Sequence, residues 1–112
     1  MFEKNLQLSF LMDMYGGLLS ERQQRVLDLY YNEDLSLGEI ADDVGISRQG
    51  VRDSIKKAER ALYFYEEHLG LVARESAVRE AGERLLSLPL TDEARQVAER
   101  LVASALGEDG WQ

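Results

Sequence analysis

The stretch SLGEIADDVGISRQGVRDSIKKAERALYFYEEHL, Ser36 to Leu69, restricts the folds open to this chain more than any other feature. It spells two helices joined by a tight turn, the second much longer than the first. Ser36 is placed to cap the first helix, with Glu39 three residues on to close a capping box, and Leu37, Ile40, Ala41 and Val44 supply its apolar face. Gly45 permits a left-handed turn, Ile46 plugs the corner, and Ser47 can cap a new helix from Arg48. This is the order of parts in a helix-turn-helix. In the second helix Val51, Ile55, Ala58, Leu62, Tyr65 and Leu69 alternate spacings of four and three, which keeps one apolar stripe on one side throughout. Only its first half fits within so small a motif. The remainder must be covered by the C-terminal segment, a second subunit, or both, so Leu62, Tyr65 and Leu69 are assigned to a homodimer interface.

The flanks read as further helices. Phe2, Leu6, Leu8, Phe10, Leu11, Met12, Met14 and Tyr15 are apolar on more than one side, which predicts a largely buried helix stopped by Gly16 and Gly17. Ser20 with Gln23 is a second capping box, and Val26, Leu27 and Tyr30 give the next helix its inner face, followed by a turn over 32–35. Gly70 is placed to terminate the long helix, the alternative being a continuation from Leu71 with only a kink. Val78, Ala81, Leu85 and Leu88 mark another face, which Pro89 closes. Thr91 caps a last helix carrying Ala94, Val97, Ala98, Leu101, Val102 and Ala105 inward and ending at Gly107, with Trp111 in a frayed tail. No stretch alternates like a strand and none repeats. The fold class expected is all-α, one helical domain over 1–112: an N-terminal helix over 1–17, a helix-turn-helix core with extended helix over 18–69, and C-terminal helices over 70–112.

The 112 residues carry a formal charge of −8, which disfavours a general polyanion binder, but the charge is uneven. Arg48, Arg52, Lys56, Lys57 and Arg60 face only Asp53 and Glu59, a local excess of cations on the candidate recognition helix. On a helical wheel the buried stripe leaves Gln49, Asp53, Lys56 and Arg60 outward, with Arg48 and Arg52 on the flank. Arg48, Gln49, Arg52, Lys56 and Arg60 are therefore the candidate nucleic-acid-binding residues, since in a docked helix-turn-helix this face enters the major groove, where Arg pairs with guanine and Gln with adenine. Asp53 can accept from cytosine but repels phosphates. The competing possibility is a solvated face with Asp53 paired to Lys56 or Lys57.

Catalysis finds little support. There is one His, no Cys and no phosphate-cradling glycine loop, and the adjacent pairs Asp42–Asp43 and Glu66–Glu67 diverge on a helix. His68, without partner ligands, suits the C-terminal end of a helix dipole better than a metal. No cofactor and no metal are expected. Without an apolar run of the roughly 18 to 20 residues that spans a bilayer, no membrane insertion is expected, and a cytoplasmic location is the default.

ERQQRVLDLYY, SLGEIADDVGIS and RQGVRDSIKKAERAL resemble region 4 of bacterial sigma factors. LMDMYGGLLSERQ, LDLYYNEDLSLGEIADDVGISRQGVRDSIKKAE and YEEHLGL together resemble the YlxM-type helix-turn-helix proteins of bacteria over roughly residues 6–75. Gly50 and Arg52 depart from the Ala and the aromatic residue more usual at those places in that family. The resemblance implies a regulatory role in the signal recognition particle pathway, because genes of this type typically neighbour those of the particle's protein subunit and its receptor. Three functions are thus expected to compete: an accessory factor binding the particle's structured RNA or protein, a DNA-binding regulator, and a protein-interaction module without nucleic-acid binding.

Overall fold

The structure is a computed structural model and describes residues 6–108. Phe2 and Trp111 lie outside the described residues. Six α-helices and no strand occur among the described residues: α1 (Leu6–Tyr15), α2 (Glu21–Leu27), α3 (Leu37–Val44), α4 (Arg48–Leu69), α5 (Leu71–Leu86) and α6 (Asp92–Ala105). The chain divides into two compact units at the junction of Leu69 and Gly70.

In the first unit, the helix boundaries follow the capping residues. Ser20 Oγ accepts from the Gln23 amide at 3.2 Å while Gln23 Oε1 accepts from the Ser20 amide at 3.0 Å. Ser36 and Glu39 close the same reciprocal box at 3.1 and 2.9 Å, which satisfies two of the donors that a helix start leaves open. Gly45 ends α3 at φ 76°, a left-handed conformation that costs a glycine nothing, and Ser47 Oγ receives the Gly50 amide at 3.0 Å to start α4.

Between α2 and α3 the chain departs from simple helical spacing. Asp28–Asn32 forms a π turn, with the Glu33 amide bonding to the Asp28 carbonyl at 3.1 Å. The widened turn rotates the residues that follow, so Leu29 is buried and Tyr30, expected on the inner face, is only half-buried. The Tyr30 and Tyr31 rings meet edge to face, with centroids 4.9 Å apart.

α4 is the shared wall of this unit. α2 and α3 pack on it, where Val26, Leu27, Ile40, Val51, Ile55 and Ala58 are buried, and α1 packs on it as well, adding Leu8, Leu11 and Tyr15 to the core. Each fully buried aliphatic side chain contributes about 1.5–3 kcal/mol relative to exposure. α1 therefore packs along part of the stripe for which a second subunit or the C-terminal segment is expected, with Leu62 buried, Tyr65 half-buried and Leu69 left exposed. It does so with one face only. Leu6 and Phe10 remain 73% and 53% exposed, so α1 is not the all-round buried helix that its composition suggests.

The second unit is a helical hairpin. Gly82 is buried in α5, and a Cβ there would lie 2.9 Å from Val102 Cγ2, so the glycine lets α6 approach closely. Gly82 occupies the inner position expected of Ala81, which is exposed, and Leu88 falls beyond the end of α5 and is exposed too. Thr91 caps α6 through the Ala94 amide at 3.1 Å, and Arg95 crosses the turn to the Leu86 and Leu88 carbonyls at 2.8 and 3.2 Å. The apolar arc of α6 is wider than α5 covers. Ala98 is buried, whereas Val97 and Leu101, expected to face inward, are exposed.

Candidate nucleic-acid interface

All five candidate residues, Arg48, Gln49, Arg52, Lys56 and Arg60, are exposed on α4. At about 1.5 Å rise per residue, the cations from Arg48 to Arg60 extend over roughly 18 Å of helix. Arg48, Gln49 and Arg52 also border a shallow concavity of about 500 Å³ whose opposite rim is Ser36, Leu37 and Gly38 at the start of α3. Gly38 shapes that rim. A Cβ on it would approach the Arg48 guanidinium to 3.1 Å, so the absence of a side chain lets Arg48 lie across the first turn of α3.

Three carboxylates of α4, Asp53, Glu59 and Glu66, accept hydrogen bonds from neutral side chains. Asp53, on the outward face, accepts from Gln49 Nε2 at 3.0 Å, and among the described residues no ion pair joins it to Lys56 or Lys57 as the solvated-face alternative supposed. Glu59 receives the Tyr31 hydroxyl in a short hydrogen bond, and Glu66 receives the Tyr15 hydroxyl at 2.5 Å. Burial, then the bond to Glu59, raises the Tyr31 pKa, so this hydroxyl keeps its proton and the bond throughout the neutral range. Glu39 is held below the usual carboxylate range by the Ser36 backbone amide and then the Ser36 hydroxyl. Asp43, at the end of α3, pairs with Arg25 of α2 at 3.1 Å. Glu59 and Glu66 are thereby half-buried against tyrosines, while Asp53 stays exposed beside Lys56, Lys57 and Arg60, which outnumber it on the outward surface.

The residues assigned to a dimer interface divide. Leu62 is fully buried in the core of its own unit, and Tyr65 is half-buried with its ring centroid 5.9 Å from that of Tyr15. Only Leu69, at 49%, is exposed. Leu62 is therefore a core residue in this chain and not a surface residue awaiting a partner, because α1 already occupies that side. Sequence reasoning also passed over Phe64, 55% exposed and stacked on His68 with centroids 4.2 Å apart, although the helical wheel places Phe64 opposite Leu62. The Tyr15–Glu66 and Tyr31–Glu59 bonds had no local signal, since each joins residues far apart in sequence.

An α3–turn–α4 unit with a cationic outward face defines a helix-turn-helix protein. The chain belongs to the UPF0122 family, whose model, described as "Putative helix-turn-helix protein, YlxM / p13 like", matches residues 2–100. A UPF0122 protein of Desulforamulus reducens is 54% identical over 68 residues, which cover 61% of this chain and 58% of that relative. One from Clostridium kluyveri is 49% identical over 78 residues, 70% of each chain, and one from Lacticaseibacillus casei 44% identical over 89 residues, 80% of this chain and 79% of the relative. No helix among the described residues is long and apolar enough to cross a membrane.

Proposed function

We propose that this protein is a non-enzymatic regulatory or accessory factor that binds nucleic acid through the N-terminal half of α4 and acts in the signal recognition particle pathway. The observation that carries the binding is the segregation of charge on α4. Arg48, Arg52, Lys56 and Arg60 are exposed, while Glu59 and Glu66 are engaged by tyrosine hydroxyls. A structured RNA is the preferred target. Its phosphates and shape can meet a cationic helix without the base-edge code that Asp53 complicates, and the overall charge of −8 disfavours tight, unselective binding to duplex DNA. The link to the particle rests on the resemblance to YlxM-type proteins.

A second reading, a DNA-binding regulator, is favoured by one observation: Arg48, Gln49 and Arg52 sit in the first turns of the second helix of the motif, where major-groove readers carry their base contacts. Self-association, on either reading, uses exposed apolar surface such as Val97 and Leu101 of α6 and not Leu62. Titration of the protein against particle RNA, the particle's GTPase subunit and operon DNA separates these functions. The proposal expects RNA binding whose logarithmic affinity falls steeply with logarithmic salt. Tight, sequence-selective operon binding with no affinity for either particle component contradicts it.

A further inference from the structure

The cationic face of α4 does not stop where a helix-turn-helix ends. Lys57, Arg60, Phe64 and His68 follow one another at spacings of three, four and four along one exposed line of the helix. Phe64 is 55% exposed, and its ring is organised: His68 lies against it with centroids 4.2 Å apart and planes inclined by 36°. The imidazole is fixed in turn, its Nδ1 lying 2.9 Å from the Phe64 carbonyl oxygen. A single exposed aromatic ring is ordinary on a protein surface. A two-ring platform held in place and preceded by two cations is not explained by the packing of either unit.

The neighbours of Phe64 on that line decide what it fits. Tyr63, adjoining Phe64, is 40% exposed, but an apolar partner would need a wider apolar surface, and the charged Arg60 and Glu67 lie one turn before and after Phe64. A nucleobase needs only one π-face and a cation for the adjoining phosphate. Phe64 also lies about 22 Å along the axis from Gln49 and only about 60° around it, at roughly 1.5 Å and 100° per residue, so one ligand touching both must continue well beyond a groove contact at the helix start. Duplex DNA keeps its bases stacked inside, whereas loops and bulges of RNA present them splayed.

We propose that the distal half of α4 is a second contact, in which Phe64, backed by His68, stacks on one unpaired base of a structured RNA while Arg60 and Lys57 meet the flanking phosphates. This rests on the reading of α4 as a nucleic-acid-binding helix, and it adds the class of target: a duplex stem with an unpaired nucleotide beside it.

The test uses the full chain and a hairpin RNA carrying a single bulged 2-aminopurine, with a blunt RNA duplex of the same stem and a single-stranded DNA of the same sequence. Binding of the hairpin should quench the 2-aminopurine emission. Phe64→Leu, which removes the ring at an exposed position, should abolish the quench and weaken hairpin binding about tenfold, leaving blunt-duplex affinity and the salt slope unchanged. Phe64→Trp should restore both. If Phe64→Leu binds hairpin and duplex as the wild type does, the platform is no contact although the α4 reading stands. If no RNA binds wild type, both fail. Equal quenching by the single-stranded DNA overturns the RNA assignment, and a wild-type dimer that Phe64→Leu dissociates assigns the face to a second copy.

Discussion

Truncating Leu62 to alanine should cost the first unit about 3 kcal/mol. The side chain is fully buried, so the change removes three carbons from the core, worth roughly 2.4 kcal/mol at about 0.8 kcal/mol for each. Partial collapse around the remaining void adds on the order of 1 kcal/mol, which places the total inside the range of about 2–5 kcal/mol for such truncations. A unit of this size has a total stability of only about 3–10 kcal/mol at roughly 0.05–0.15 kcal/mol per residue, so the loss is a large share of it. The melting temperature should fall by about 12 °C or more. Near-ultraviolet circular dichroism follows this unit directly, because Tyr15 and Tyr65 flank the same layer. As α1 of the same chain covers Leu62, the shift should not depend on protein concentration. Leu69→Ala, at a half-exposed position, should change the melt by less than about 1 kcal/mol. A Leu62→Ala protein that melts as the wild type does but sediments as a smaller species would refute the reasoning and return Leu62 to an intersubunit seam.

Gly82→Ala should destabilise the helical hairpin by roughly 1 kcal/mol despite the better helix propensity of alanine, since its Cβ meets Val102 Cγ2 at 2.9 Å; adding Val102→Ala should recover the loss in a urea titration. Ser36→Ala removes the cap of α3 and should cost about 1 kcal/mol by thermal melting. It should also diminish a pH dependence: the Glu39 pKa is depressed in the folded state, so its contribution is present above the unfolded pKa and lost as pH falls through the folded value. Tyr31 has the opposite sign. Its folded pKa is raised, so its contribution is full below the unfolded value near 10 and declines as pH rises beyond it, and Tyr31→Phe should flatten stability against pH in that alkaline range.

The elements that carried local signals were legible in the sequence. Ser20, Ser36, Ser47 and Thr91 each cap the helix that follows, and Gly45 and Gly70 each adopt the left-handed conformation expected of a helix end. The outward set from Arg48 to Arg60 followed from helical periodicity alone, because the stripe Val51, Ile55, Ala58 fixes the buried side. What failed was inference about which neighbour covers a face. α1 is apolar on several sides, so its composition could not say that Leu8, Leu11 and Tyr15 would pack while Phe10 stayed outside. The π turn at Asp28–Asn32 shifts register in a way that a 3.6-residue period cannot represent. The tyrosine bonds to Glu59 and Glu66 join residues 28 and 51 positions apart, a pairing that no local pattern along α4 can signal.

The central claim is that the exposed face of α4 meets nucleic acid, and amide chemical-shift mapping during titration with a bulged RNA hairpin tests it most directly. The account predicts shifts concentrated at Arg48, Gln49, Arg52 and Lys56, continuing through Arg60 to Phe64, with Val97 and Leu101 unmoved. Shifts confined to α5 and α6, or an unperturbed spectrum at saturating RNA in low salt, would contradict it.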